Sequence, residues 1–290
     1  MTTNAAKLRM TAAMFIFGTI GLFVRWIPLP SSVIALARGS IGMVFLLMVM
    51  AMKKERISKD AVRKNLFWLL VSGLLLGFNW ILLFESYRYT SVAVGTLCYY
   101  MAPILIILAS PLVLHERLTL RKILCVLAAL LGMVCISDIL AEGIPSAGEL
   151  KGIFLGLAAA VLYAAIVLCN KRIHGISAYD KTVFQLGISA LTMLPYCLVT
   201  VDFGAYALET RSILMLLLVG IVHTGVTYYL YFGSMEFLPA QSVAVISYVD
   251  PVVAVLSSVL ILHEPMQLTE GIGAVLILGA AAASELEKKE

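Results

Sequence analysis

The side chains in this sequence that could do chemistry lie inside long apolar runs. Asp250 stands about 11 residues into a run that opens at Pro239, close to mid-bilayer depth at ~1.5 Å per helical residue. A carboxyl group at that depth is costly unless it faces a cavity or a partner. It could hold a cationic group or a proton. The alternative is a carboxyl kept neutral, or paired with a tyrosine hydroxyl, for packing. Pro251 follows it and lacks a backbone N–H, so the helix is expected to bend or lose a bond there. His223 sits at similar depth in the preceding run. Imidazole changes charge near neutral pH, which makes His223 a candidate to share a proton with Asp250. The plainer reading is an interior, hydrogen-bonded histidine. Arg38 is read as a charge near the interface that snorkels outward, with neutralisation of a carboxylate as the alternative.

Aromatic residues accompany these groups. Trp80, Tyr99, Tyr100, Tyr163, Tyr228, Tyr229 and Tyr248 fall in or beside the middle of apolar runs. Such rings can hold an ammonium group by cation–π attraction, worth ~2 kcal/mol when desolvated. Each can equally be a core or lipid-facing ring. Asn79, Thr224, Gln185 and Gln241 add neutral hydrogen-bonding capacity, more often used as glue between helices. The expected substrate-binding set is Asp250, Tyr248, Tyr99, Tyr163, Tyr228, Trp80 and Asn79. The expected proton-coupling pair is Asp250 and His223.

Other chemistries find no footing. His115-Glu116 and His263-Glu264 lack the second histidine that a zinc-binding HExxH helix needs, and are read as span ends that cap the next helix or pair with a loop. The five cysteines lie in apolar runs without CxxC spacing and are read as small buried hydrophobes. No metal, cofactor, catalytic constellation or nucleic-acid signature is expected.

The elements that carry these residues are ten apolar runs, at about 10–27, 33–52, 66–87, 91–114, 121–140, 150–170, 180–200, 212–235, 239–262 and 270–286. Of the 290 residues, 61% are hydrophobic and 13% charged, with a mean hydropathy of +1.00. A soluble domain carries roughly 25% charge, so this chain cannot supply a charged skin. Backbone in lipid must satisfy its own hydrogen bonds, so the runs are helices. Lys7 and Arg9 precede the first run without a clear cleavage site, and that run is expected to be retained. With ten crossings and a cytoplasmic N-terminus, sixteen Lys and Arg fall inside and four outside, with Arg38 in a span. That bias puts both termini in the cytoplasm.

The chain also repeats itself. Ala102-Pro103 and Asp250-Pro251, Leu114-His115-Glu116 and Leu262-His263-Glu264, and Tyr100 and Tyr248 are all 148 residues apart. Each unit, 1–148 and 149–290, holds five runs, so two copies must cross in opposite senses. The expected fold is an all-α integral membrane protein of ten transmembrane helices in two inverted five-helix repeats, with its site near the midplane between them. Gly73 and Gly77, and Gly152 and Gly156, form GxxxG pairs suited to close helix approach.

At the Ala-Pro and His-Glu runs 102–116 and 250–264, and in the glycines that follow (Gly132, Gly273), the sequence resembles the EamA-type transporters of the drug/metabolite transporter superfamily. Phe17-Gly18 and Tyr163-Ala164 replace the Trp-Gly often seen in that family's first helices, so no substrate residue is carried over there. The resemblance implies a central cavity lined by the first, third, fourth, sixth, eighth and ninth spans. The expectation is a secondary transporter in a prokaryotic cytoplasmic membrane. It would move a small amine-containing metabolite, of amino-acid or quaternary ammonium type, by alternating access, with proton coupling as one form. The alternative is a passive facilitator or pore. The partners are the small-molecule substrate and the lipid bilayer, not nucleic acid. A monomer is enough for this reading, and the sequence does not set the oligomeric state.

Overall fold

Every regular element among the described residues is a helix. The structure, a computed structural model, describes residues 1–90, 92–116, 119–136, 147–206, 209–263 and 268–285. In chain order the helices are α1 (Thr3–Gly18), α2 (Gly21–Val24), α3 (Ser31–Met52), α4 (Lys59–Ser86), α5 (Val92–Tyr99), α6 (Ala102–Leu114), α7 (Leu120–Ile136), α8 (Ala147–Asn170) and α9 (Ala178–Thr200). A 3₁₀ turn at Phe203–Ala205 leads to α10 (Thr210–Leu218), a π-helical stretch at Val219–Val226, α11 (Thr227–Met235), α12 (Ala240–Ser247), α13 (Val249–Leu262) and α14 (Leu268–Glu285). Helix is present in each of the ten apolar runs. Among the described residues, seven runs form helices long and apolar enough to cross a membrane, and Ala102–Leu114 is a shorter apolar helix.

Local chemistry sets the boundaries. Ser58 and Ser177 accept the backbone N–H of Ala61 and Asp180 and so start α4 and α9. His115 and His263 both leave their helices in the left-handed region, at φ 56° and 58°. Glu264 lies outside the described residues.

Four of the runs are interrupted, where continuous helices were expected in all but the ninth. Two breaks follow directly from proline. Pro103 and Pro251 cannot donate to the carbonyls four residues back, which belong to Tyr99 and Ser247. α5 ends at Tyr99 and α12 ends at Ser247. Between the halves of these spans lie Tyr100-Met101 and Tyr248. The Tyr248 ring is fully buried, and its hydroxyl donates to the Tyr100 carbonyl at 3.4 Å, so one break rests on the other. The first span breaks at Thr19-Ile20, where Thr19 Oγ1 donates to the Ile16 carbonyl at 2.8 Å.

The eighth span widens into π-helix. Thr224 and Thr227 hydroxyls donate five residues back, to the carbonyls of Val219 and Val222 at 3.1 and 2.7 Å, which suits the wider turn. α3 backs onto it at Gly42, where an added Cβ would lie 2.9 Å from the Gly225 nitrogen and 3.0 Å from the Gly220 carbonyl oxygen. Both neighbours are backbone and cannot swing aside. Gly42→Val is therefore expected to cost about 2–3 kcal/mol by overpacking. It should appear as a lower midpoint in a thermal unfolding scan in detergent, while Gly21→Ala, which meets open space, leaves the midpoint unchanged.

Helix packing brings distant segments together. α1 lies on α11 and α13, and α8 lies on α4 and on the broken pair α5–α6. α3 and α4 pack against α9, α6 against α12, and α7 against α14. Both GxxxG pairs serve close approach: Gly73 and Gly77 face Ile188 and Thr192 of α9, while Gly152 and Gly156 face Thr90, Cys98 and the Gly95 carbonyl.

Candidate functional site

The breaks in the first, fourth and ninth spans border a cavity of about 650 Å³. Its wall comes from the first, third, fourth, sixth, eighth and ninth spans, as expected, and also from α3 of the second. It runs from Met14 and Tyr231 at mid-span to Val24, Ser31 and Tyr87 at one end of the bundle. No lining residue comes from the opposite end among the described residues, where Lys53, His115, Asn170 and Leu238 lie.

Asp250 lines this cavity as the second residue of α13, just past the break at Tyr248 in the ninth span. It has no hydrogen-bond or ion-pair partner among the described residues. Its backbone is held by α1: an added Cβ on Gly18 would fall 2.5 Å from the Asp250 carbonyl oxygen and 2.6 Å from Val253 Cβ. The first helix can come this close only because residue 18 is glycine, and that contact fixes the depth at which the carboxyl group enters the cavity.

Trp80, Tyr99, Tyr163 and Tyr228 also line the cavity, together with Asp250. Tyr163 shares a short hydrogen bond with Tyr231. The Tyr99 and Tyr163 rings stand 5.5 Å apart, and Trp80 meets Tyr228 edge-on at 6.0 Å. Asn79 stands behind this wall. It is fully buried, donates to the Ala159 carbonyl at 2.6 Å and accepts from the Tyr99 hydroxyl at 3.4 Å, so it orients Tyr99. Tyr248 does not line the cavity; it belongs to the joint between the two breaks, packed with Cys125, Ala129 and Ile277.

His223 is likewise outside the wall and makes no hydrogen bond to Asp250. Its Nε2 is 3.1 Å from the Thr19 hydroxyl, and its ring lies 5.0 Å from Phe23. It ties the π-helical stretch to the break in the first span.

Arg38 belongs to the site although its position in the second span read as interfacial. It lines the cavity, and its guanidinium stands 4.7 Å over the Trp80 ring. It has no carboxylate partner among the described residues. The usable signal was its lone charge within an apolar run; what sequence could not supply was the packing of α3 against Trp80, whose ring an added Cβ on Gly39 would meet at 3.4 Å.

The end of the bundle away from the cavity is closed by polar contacts. The Glu116 carboxylate accepts the backbone N–H groups of Ala240 and Gln241 at 2.8 and 3.3 Å, where α12 begins without a side-chain cap of its own. Glu116 thus caps a helix, in the other half of the chain. The Lys171 ammonium donates to the Met235 carbonyl at 2.9 Å and to the Leu238 carbonyl. Burial pulls the Lys171 pKa below its ordinary value, and the nearby Glu116 and Glu236 oppose that shift. Lys53 donates to the Tyr179 hydroxyl at 2.7 Å, and Arg172 to the Val113 carbonyl at 2.7 Å.

An aromatic-walled cavity within a bundle of apolar helices, with Asp250 and Arg38 unpaired among the described residues, fits solute passage, and comparison with known proteins agrees. The EamA-like transporter family matches the chain twice, over residues 6–138 and 150–284. The uncharacterized transporter YxxF of Bacillus subtilis is 29% identical over 289 residues, covering 99% of this chain and 91% of the relative. The uncharacterized transporter YetK of the same organism is 27% identical, covering 98% of this chain and 88% of the relative. A crystal structure of a protein 22% identical superposes with a TM-score of 0.85 over 98% of this chain and 97% of its own, which establishes a shared fold. The chain belongs to the EamA-like transporter family and is a multi-pass membrane transporter, not an enzyme.

Proposed function

We propose that this protein is a secondary transporter that moves a small amine-containing metabolite by alternating access, with Asp250 holding the amine. The observation that carries the reading is Asp250 itself: a carboxyl group in the wall of a cavity among aromatic rings, without a protein partner among the described residues. The surrounding tyrosines and Trp80 suit a cation.

Its architecture, in this reading, is ten spans in two inverted five-helix units, 1–148 and 149–290. The neighbours support it by exchanging between halves. The first span lies on the eighth as the sixth lies on the third, and the first lies on the ninth as the sixth lies on the fourth. The paired breaks at Tyr100 and Tyr248 and the paired left-handed histidines fit the same relation. With both termini in the cytoplasm of a prokaryotic cell, the cavity reaches the outer face and the Glu116 end is the closed cytoplasmic side. Proton coupling, in this frame, would rest on Asp250, with His223 acting at the break in the first span instead of as a direct proton partner.

The test is transport in proteoliposomes. Uptake of a radiolabelled amine should saturate and be accelerated by unlabelled substrate on the far side. Flux that rises linearly with concentration and shows no counterflow would mean a pore and would end this reading.

A further inference from the structure

Two opposite charges face one cavity, and neither has a protein counter-ion among the described residues. Asp250 is one. Arg38 is the other, and its situation is the more demanding. A guanidinium carries five N–H donors in a fixed planar fork and no acceptor. The guanidinium carbon stands 4.7 Å from the Trp80 ring centroid, and its N–H donors have no hydrogen-bond acceptor among the described residues. A charge at depth in a span is retained where it has a partner or a function. Among the described residues Arg38 has an aromatic platform but no anion.

We propose that Arg38 binds a carboxylate of the substrate, so that the transported solute is a zwitterion carrying a carboxylate and an amine. The inference rests on the reading of Asp250 as the amine site and narrows it. A bare cation entering this cavity would meet the like charge of Arg38, and a bare anion would meet Asp250. A zwitterion meets a complementary charge at both, and a carboxylate can take two parallel N–H bonds from the guanidinium fork. At about 650 Å³ the cavity is in the size range of small-molecule sites. Its aromatic wall, Tyr99, Tyr163 and Tyr228 with Trp80, then faces the rest of the solute. Through Arg38, α3 brings the cavity a positive charge that its other lining residues lack.

The experiment uses the full-length protein in lipid nanodiscs and matched probes. The probes are the common L-amino acids, their methyl esters, their N-acetyl derivatives, glycine betaine and choline. Binding is read as ligand-induced thermal stabilisation. Wild type should be stabilised by at least one free zwitterion more than about tenfold better than by its ester or N-acetyl form, the size of effect one charge-assisted contact gives. Arg38→Gln should bind the ester as well as the free acid. Asp250→Asn should bind the N-acetyl form as well as the free acid. Arg38→Lys, which keeps charge without the planar fork, should retain the preference at reduced affinity and guards against misfolding of the glutamine variant.

If choline or the esters alone stabilise wild type, and Arg38→Gln tightens them, the assignment of Arg38 falls while Asp250 as amine site stands. If N-acetyl forms bind wild type and Asp250→Asn is silent, the amine reading falls and Arg38 stands. No stabilisation by any zwitterion in the set overturns the substrate class.

Discussion

Asp250→Asn is expected to fold as well as wild type and to lose transport. Its side chain makes no hydrogen bond or ion pair to the protein among the described residues, so the substitution removes no internal contact. The amide is nearly isosteric and carries no charge to desolvate. The melting temperature without ligand should stay level or rise slightly. Substrate stabilisation should fall by about 3 kcal/mol, the upper value for a hydrogen bond to a charged group, or roughly 100-fold in affinity. Uptake into proteoliposomes at substrate concentrations near the wild-type KM should drop to background. Full, saturable transport by a well-folded Asp250→Asn protein would remove the carboxylate from the mechanism. A collapse in unliganded stability would instead assign it to packing.

Glu116→Ala should shift the protein between the two end states of the proposed alternating-access cycle. The Glu116 carboxylate holds the first two N–H groups of α12. Pro239 precedes them and offers no side-chain cap. Two charge-assisted bonds to a helix N-terminus contribute ~1.5–3 kcal/mol each at most, and water recovers part of that when the end opens. A net bias of about 2 kcal/mol shifts a two-state equilibrium about 30-fold. The probe is a single cysteine at Leu238, which is 1% exposed here, in a background lacking the native cysteines. Its alkylation rate should rise about 30-fold in Glu116→Ala. A cysteine at Thr96, in the cavity wall, should become protected in parallel. Fraying of α12 alone would raise the first rate without lowering the second, and would rule out a gate.

Much of the fold was legible in the residues, because the periodicity of apolar and charged stretches is itself the constraint that lipid imposes. The ten runs correspond to helical segments, and Pro251 announced a lost backbone bond. The site was legible in part. Asp250, Trp80, Tyr99, Tyr163 and Tyr228 reach one cavity because their spans surround it. Asn79 and Tyr248 proved to be supports, a difference of which face of a helix turns inward, and spacing alone does not set helix rotation. His223 lies in the π-helical stretch, where its ring meets Thr19 and Phe23 and makes no hydrogen bond to Asp250. By distance from a span end Arg38 reads as interfacial, whereas its surroundings are decided by Trp80, which meets α3 at Gly39 beside Ser189 of α9. Contacts between segments more than a hundred residues apart carry that information.

The joint between Tyr248 and Tyr100 has an energetic meaning for a membrane under voltage. Two breaks in separate spans would ordinarily rearrange independently and give four combinations, one of them open at both ends. Here a fully buried ring on one break sits against the backbone of the other, so moving either one disturbs the packing of both. A packed interface of this kind has discrete arrangements and resists intermediate ones. For a protein that opens to each side in turn, the mixed combinations become rare. In the proposed alternating-access cycle the membrane potential would then find no continuous water path through the chain, and ions would not leak while the solute crosses.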